Sequence, residues 1–521
     1  MEESLARKSL LSTVMNLLGA VIAYAGFFFI ARLWPGGPVA GETIIGLITF
    51  STGYVSVFLP VSRLGFATAH TKKVSEGADL AECNGAFMLI TAVLSLAMVA
   101  IVFASLFLWV YLFHKGFQTQ NEVEAIWIML GYTVLVAVSG IPVTTFNARR
   151  EIMKGQLGTF MGHIVRVIAI IVVVVASLAS LDIIWAYFLG ALASLITSVV
   201  YFRNYPIKWP SRSIISEYRK FADPLFFPSL ISPLPISLAP VLIQLFWFSD
   251  FSATGYFGSA YRIVIVLATL GTSVGSVIFP KLSELHSQGK GMEIIERTAN
   301  SEKLLSFVLA PFTFFVVIYA SGVIYVLLAK NFLPAVPTMM ALAVYIYILG
   351  VTSPKSSLIP ALNRPRLSGA ISIMSSIVTI ALLLILIPTS IFKFKLFGLK
   401  EYGAAIALLA GAAIAYLATN YYSNRIAGTK FEFRLLAYPV VSIVACLAFM
   451  PLTSVFPVLG WTWYIGLMFV LGSVLLYVLL CLVLRIIKMD DIKLLADSVN
   501  PFAMHRYIAS ELSTTFQDEI K

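Results

Sequence analysis

Charge is scarce in this 521-residue chain. Only 12% of residues are Asp, Glu, Lys or Arg, about half the share of a soluble domain, and the deficit runs along the whole length. Hydrophobic residues make up 59% and the mean hydropathy is +0.92. An aqueous globular enzyme is excluded, and so is a soluble domain on a single anchor. Cysteine is nearly absent: Cys83, Cys446 and Cys481 are scattered, which excludes a disulfide framework and a cysteine-based metal site. Long polar connections are missing too, so no loop is long enough to be a catalytic domain. There is no nucleotide-binding loop, and no cofactor is expected.

What is present is a succession of apolar blocks, most of 20 residues or more, the length that crosses a hydrocarbon core of about 30 Å. They predict fourteen transmembrane helices at 10–31, 43–64, 85–113, 125–146, 159–180, 182–202, 222–248, 252–279, 304–329, 338–361, 368–391, 402–423, 435–456 and 461–487. Only Ser180 and Asp182 mark the split between the fifth and sixth. The first block is too long for the apolar region of a signal peptide and lacks a small-residue cleavage site.

The net charge of +11 is mostly a topology signal. With the amino terminus in the cytoplasm, 26 of the 36 Lys and Arg fall in inside segments, while Arg32, Lys115, Lys330, Lys393, Lys395 and Lys400 lie outside. This positive-inside bias predicts a multi-pass protein of the cell membrane with both termini cytoplasmic. Nucleic acid is not needed as a partner.

The first six spans repeat in the next six at offsets of 209 to 220 residues, and Asn147-Ala-Arg149-Arg150 is echoed by Asn363-Arg364-Pro365-Arg366. Six is even, so the halves would be parallel repeats, as in transporters that hold substrate between two bundles. Evenly spaced helices would give similar offsets by chance. The expected organisation is an all-α protein with six-helix bundles at 1–208 and 209–427, an appended helix pair at 428–487, and a cytoplasmic tail at 488–521. The tail has some amphipathic character, suited to a membrane-surface helix.

Beyond Arg485 at the cytoplasmic end of the last span, four basic residues fall inside predicted spans: Arg63, Arg166, Arg262 and Lys355. A cation at a helix centre costs roughly 2.5–3.5 kcal/mol on insertion scales, so such residues face a wet cavity or a partner. Arg166 and Lys355 are near enough to the cytoplasmic side to snorkel. Arg63 is less comfortable there because the apolar run continues to Ala67. Arg262 is close to the midplane, and pairing with Asp223 or Asp250 is its structural alternative. The acidic residues nearest the membrane, Glu42, Asp182, Asp223 and Asp250, sit at span ends, so the deep charges read as cationic throughout. That set suits an anionic passenger such as phosphate or pyrophosphate. Separately, Pro224, Pro228, Pro233, Pro235 and Pro240 crowd the seventh span. Each frees backbone carbonyls and bends the helix, giving either a hinge for alternating access or a static kink packed against its neighbours.

With spans and charges placed, the chain resembles the polysaccharide-transport branch of the multidrug/oligosaccharidyl-lipid/polysaccharide exporter superfamily. The resemblance covers most of the chain. It is carried by Gly46-Leu-Ile-Thr through Arg63-Leu-Gly-Phe-Ala-Thr-Ala-His70-Thr-Lys-Lys, by Glu217-Tyr-Arg-Lys-Phe-Ala-Asp-Pro224, and by Gly255-Tyr-Phe-Gly-Ser-Ala-Tyr-Arg262 through Phe279-Pro280-Lys-Leu-Ser283. Ala361-Leu-Asn-Arg-Pro-Arg366 and Gly403-Ala-Ala-Ile-Ala complete it. These patterns are loose one by one; their order and spacing carry the likeness. It implies a flippase that moves polyprenyl-(pyro)phosphate-linked sugars from the cytoplasmic to the outer leaflet. Related lipid II flippases are similar in having arginines in a central cationic cavity, and Arg63 and Arg262 stand where such arginines are expected. The first span has no interior arginine, so lipid II recognition is not carried over.

Three functions compete. In the first, a flippase, Arg63 and Arg262 bind the phosphate, Arg166 and Lys355 assist on the inner side, and glycan polymerases or glycosyltransferases are candidate partners. The second is a cation-coupled multidrug exporter of the same superfamily, which needs a carboxylate within the first or seventh span; Asp223 only begins the seventh. The third is a membrane glycosyltransferase, for which the outer loops offer only His114, Glu122 and Glu124, at no recognisable spacing.

Overall fold

The computed structural model describes residues 2–34, 38–109, 120–149, 151–248, 251–391 and 393–487. The described residues form eighteen α-helices: α1 (Glu2–Leu33), α2 (Pro38–Ser56), α3 (Phe66–Ser75), α4 (Leu80–Phe107), α5 (Gln120–Ala148), α6 (Ile152–Val175), α7 (Ser180–Phe202), α8 (Arg212–Ala222), α9 (Phe226–Ile231), α10 (Leu234–Phe246), α11 (Ser252–Ser287), α12 (Gly291–Ile318), α13 (Ala320–Leu327), α14 (Val336–Ala361), α15 (Pro365–Leu386), α16 (Lys400–Ala427), α17 (Ala437–Ala448) and α18 (Trp463–Val483). Two short strands, β1 (Ser390–Ile391) and β2 (Phe394–Lys395), pair as an antiparallel hairpin between α15 and α16. This small addition departs from a purely helical expectation.

Helical segments stand at each of the fourteen apolar blocks. Among the described residues, eleven helices are long and apolar enough to cross a membrane, and a twelfth is gained when one bent pair counts as a single span. The other two blocks hold α1, whose apolar stretch is the shorter Leu18–Leu33, and α11, a continuous helix of 36 residues. Large apolar side chains such as Leu96, Val175 and Leu475 point outward, as a hydrocarbon solvent allows. This is a multi-pass membrane protein.

Local chemistry explains where the elements break. The fifth and sixth blocks do separate: α6 ends at Val175, and the Asp182 carboxylate accepts from the Ala179 backbone N–H at 2.9 Å to close the first turn of α7. The block 43–64 does not run straight. The segment Leu59–Ser75 lies 43° off Gly41–Ser56; it opens with a 3₁₀ turn at Leu59–Ser62, and Leu64 and Gly65 take φ of 37° and 82° before α3. Glycine is the residue that adopts such a φ without strain. The block 222–248 is fragmented at Pro224, which sits in a 3₁₀ turn, and at Pro233, the N-cap of α10.

In the first half α2 packs on α5 and α6 on α7; in the second half α11 packs on α14 and α15 on α16. The helix pair α17 and α18 sits against α12, where Tyr477 donates to the Phe307 carbonyl at 3.0 Å and Ser442 to that of Ala310 at 3.1 Å. α2 and α11 pack directly on each other. A Cβ on Gly46 would overlap the Phe251 carbonyl, and one on Gly255 the Glu42 carbonyl. The same end of the bundle is tied by Tyr24 to the Leu327 carbonyl at 3.3 Å and by Arg32 to that of Val326 at 2.8 Å. At the opposite end α8 packs with the first half. Buried His70 lies 2.8 Å from the Tyr218 hydroxyl and 2.9 Å from Thr145, while Lys73 pairs with Glu217 at 2.6 Å.

Candidate functional site: a cationic, tyrosine-lined cavity

A cavity of about 250 Å³ opens where the first half meets α11. Its polar and aromatic wall comes from Tyr24 and Phe27 of α1, Thr52 of α2, Tyr132 of α5, Arg166 of α6, Tyr187 of α7 and Arg262 of α11. Ala20, Ala23, Ile265 and Val266 complete it, and no carboxylate is among these lining residues.

Arg262 is held by two elements of the other half. Its Nη1 donates to Thr49 Oγ1 at 2.9 Å, and the guanidinium lies 4.1 Å from the centroid of the Phe27 ring, a cation–π distance. Gly258, one turn earlier on α11, makes that reach feasible: a Cβ there would overlap Thr49 Oγ1 and come within 2.8 Å of Arg262 Nη1. Arg166 is arranged alike. Its guanidinium is 4.9 Å from the Tyr187 ring centroid, and Nη2 is 3.0 Å from His163 Nδ1. Its Nε is buried with no hydrogen-bond partner. An aromatic ring under each guanidinium occupies a face and leaves in-plane N–H donors for a phosphate-like anion. In apolar surroundings a buried donor without a partner is costly, which favours an anionic ligand.

Of the four cations singled out by sequence, the structure brings Arg166 and Arg262 to one cavity. Arg63 stands apart, exposed at the bend between α2 and α3, with a guanidinium nitrogen 3.6 Å from where a Cβ on Gly140 of α5 would lie. Lys355 does not face this cavity. It is 2% exposed and pairs with Glu302, 0% exposed, at 3.0 Å; it also donates to Asn420 Oδ1 at 2.6 Å and to the Lys430 carbonyl at 3.4 Å. The reading of the deep charges as cationic throughout is therefore corrected at Glu302. The apolar block begins at 304, but α12 begins at Gly291 and carries Glu302 into the packed interior.

The acids expected at span ends have local duties. Glu42 accepts from Tyr256 at 3.2 Å, Asp182 caps α7, and Asp223 lies 4.0 Å from Arg219. Asp250, His114 and the tail 488–521 lie outside the described residues, while Glu122 and Glu124 stand near the start of α5. Among the prolines, Pro228 packs against Gly369 and Pro240 against Gly53. Tyr24, Tyr132, Tyr187, Phe27, Thr49 and His163 were not anticipated. The available signal was a hydroxyl or imidazole within an apolar block, which must find a partner in the membrane.

Comparisons with known proteins fit this architecture. A probable low-salt glycan biosynthesis flippase, Agl15 of Haloferax volcanii, is 22% identical over 449 residues, covering 84% of this chain and 87% of that protein. A lipid II flippase, MurJ, in an inward closed conformation superposes with a TM-score of 0.70 at 14% identity, covering 91% of this chain and 99% of that one. A MOP superfamily transporter from Pyrococcus furiosus gives 0.58 at 12% identity over 84% of this chain and 96% of that one. At these identities the solved structures establish the fold alone, that of the MOP superfamily. The family model described as Polysaccharide biosynthesis protein matches residues 44–337, more than half of the chain, and the protein belongs to that family.

Proposed function

We propose that this protein is a flippase that carries a polyprenyl-(pyro)phosphate-linked oligosaccharide from the cytoplasmic to the outer leaflet, for surface polysaccharide or glycan biosynthesis. The carrying observation is the cavity in which Arg166 and Arg262 stand among three tyrosines with no carboxylate in the wall. The lipid tail stays in the bilayer while the anionic head passes between the halves, and no bond is made or broken. The glycan flippase of Haloferax volcanii named above supports this reading. A multidrug exporter coupled to a cation would need a free membrane carboxylate, and the buried Glu302 is occupied by Lys355.

The same reading takes the fourteen blocks as spans in the cell membrane with cytoplasmic termini, arranged as bundles 1–208 and 209–427 with the pair 428–487 appended. The matching helix pairings in the two halves support the repeat. Because α8 is bonded to the first half, the bend for alternating access falls after Ala222, in the segment of Pro224, Pro228, Pro233, Pro235 and Pro240. Arg63, exposed at its own bend, serves as an entry cation for the phosphate.

The test is transport in proteoliposomes of a fluorescent polyprenyl pyrophosphate bearing one sugar. A hydrogen bond to a charged group contributes about 1.5–3 kcal/mol, so Arg262→Ala and Arg166→Ala should each slow flipping about tenfold or more while the protein stays monodisperse. Undiminished flipping with both arginines replaced refutes the proposal.

A further inference from the structure

The contact between Arg166 and His163 has a chemical direction. A guanidinium is only a donor, so His163 Nδ1, 3.0 Å from Arg166 Nη2, must accept, and the ring is neutral with its proton on Nε2. The two residues are three apart on α6, hence on one helix face. The ring is placed by packing. A Cβ on Gly19 of α1 would come within 3.1 Å of His163 Cδ2, so the absence of a side chain there lets α1 close against the imidazole. On the other flank, Gly190 of α7 admits Arg166, since a Cβ at Gly190 would lie 2.8 Å from Arg166 Cβ. The charged or titratable wall residues on the elements packed around α6 are Tyr24 of α1, Tyr132 of α5 and Tyr187 of α7, with Arg262 across the cavity.

We infer that His163 is a positioning residue: its neutral imidazole fixes the Arg166 guanidinium on the face of Tyr187 before the anionic head arrives. This rests on the reading of the cavity as a phosphate site. Arg166 Nε has no hydrogen-bond partner, so His163 and the Tyr187 ring are what orient the fork. A long arginine side chain loses rotamer freedom when it grips a ligand, and one that is already held avoids that loss on binding.

The experiment measures binding of farnesyl pyrophosphate to purified full-length protein, with farnesol as the phosphate-free control, and then flipping in proteoliposomes. His163→Leu keeps comparable bulk and removes the acceptor; His163→Asn retains an acceptor oxygen near the Nδ1 position. The expected result is about fivefold to tenfold weaker binding in H163L, recovery to within about twofold in H163N, and no further loss when H163L is added to R166A. In flipping, KM should rise in H163L with kcat nearly unchanged. If R166A weakens binding while H163L matches the wild type, the positioning role is refuted and the phosphate site stands. If the effects of H163L and R166A multiply independently, His163 acts elsewhere and the inference also fails. If neither R166A nor R262A alters binding, the phosphate reading falls and takes this inference with it.

Discussion

The buried pair Glu302–Lys355 gives the sharpest energetic prediction. Its partners are 3.0 Å apart and 0% and 2% exposed, so neither side chain can recover its charge solvation from water. With an effective dielectric constant of about 20, charges at that separation attract by roughly 5 kcal/mol, set against a desolvation cost of several kcal/mol for each ion. The net worth of the intact pair is therefore small, whereas a single substitution strands the other charge and should cost about 3–5 kcal/mol. Lys355→Met leaves the carboxylate stranded; Glu302→Gln leaves the ammonium with Asn420 Oδ1 and the Lys430 carbonyl, a milder loss. The double variant Glu302→Gln/Lys355→Met should recover most of the stability lost by Lys355→Met. The assay is the monodisperse fraction of purified protein across a temperature ramp, for the wild type, both single variants and the double. A double variant showing the full sum of the two single losses would refute the coupling. Equally, if Lys355→Met weakened farnesyl pyrophosphate binding without loss of stability, Lys355 would belong with the phosphate cations after all.

Two further measurements test the frame around the cavity. Gly255→Val places a side chain against the Glu42 carbonyl at the crossing of α2 and α11; overpacking of this kind costs about 1–3 kcal/mol, and the expected result is flipping reduced severalfold with protein still inserted in the membrane. Orientation is tested with single exposed cysteines: Lys395→Cys should react with an impermeant maleimide added outside intact cells, and Arg425→Cys only after permeabilisation. The three native cysteines are buried, which keeps the background low, and the reverse labelling pattern would overturn the proposed topology.

What sequence could reveal followed from what the membrane makes expensive. Arg166 and Arg262 were legible because a guanidinium in an apolar block has few tolerable surroundings, and both proved to line one cavity. Lys355 obeyed the same logic with the other outcome, a partner rather than a cavity. That partner was hidden because Glu302 lies just before the apolar run, in a polar stretch that reads as a loop. Only the continuation of α12 back to Gly291 shows it buried. The bend after α2 was also hidden, since hydropathy is blind to φ and Leu64-Gly65-Phe66-Ala67 looks like more of the same span. Cavity tyrosines were invisible for a related reason: on an apolar helix a tyrosine ring reads as packing, and only the fold shows which rings meet a cation.

The position of the two arginines matters more than their number. Arg166 belongs to α6 in the first half and rests on Tyr187 of α7, whereas Arg262 belongs to α11 in the second half and is bonded across the divide to Thr49 and Phe27. A ligand drives a conformational change only through differential affinity for the two states. Two cations on one rigid bundle would grip an anion equally in every state of the cycle. On the proposed function, cations divided between α6 and α11 would hold a phosphate together only while those helices stay close at this level. Rocking that separates α2 from α11 would break the Thr49–Arg262 hydrogen bond and the two-handed grip at once. The anion would then be released by the motion that opens its path.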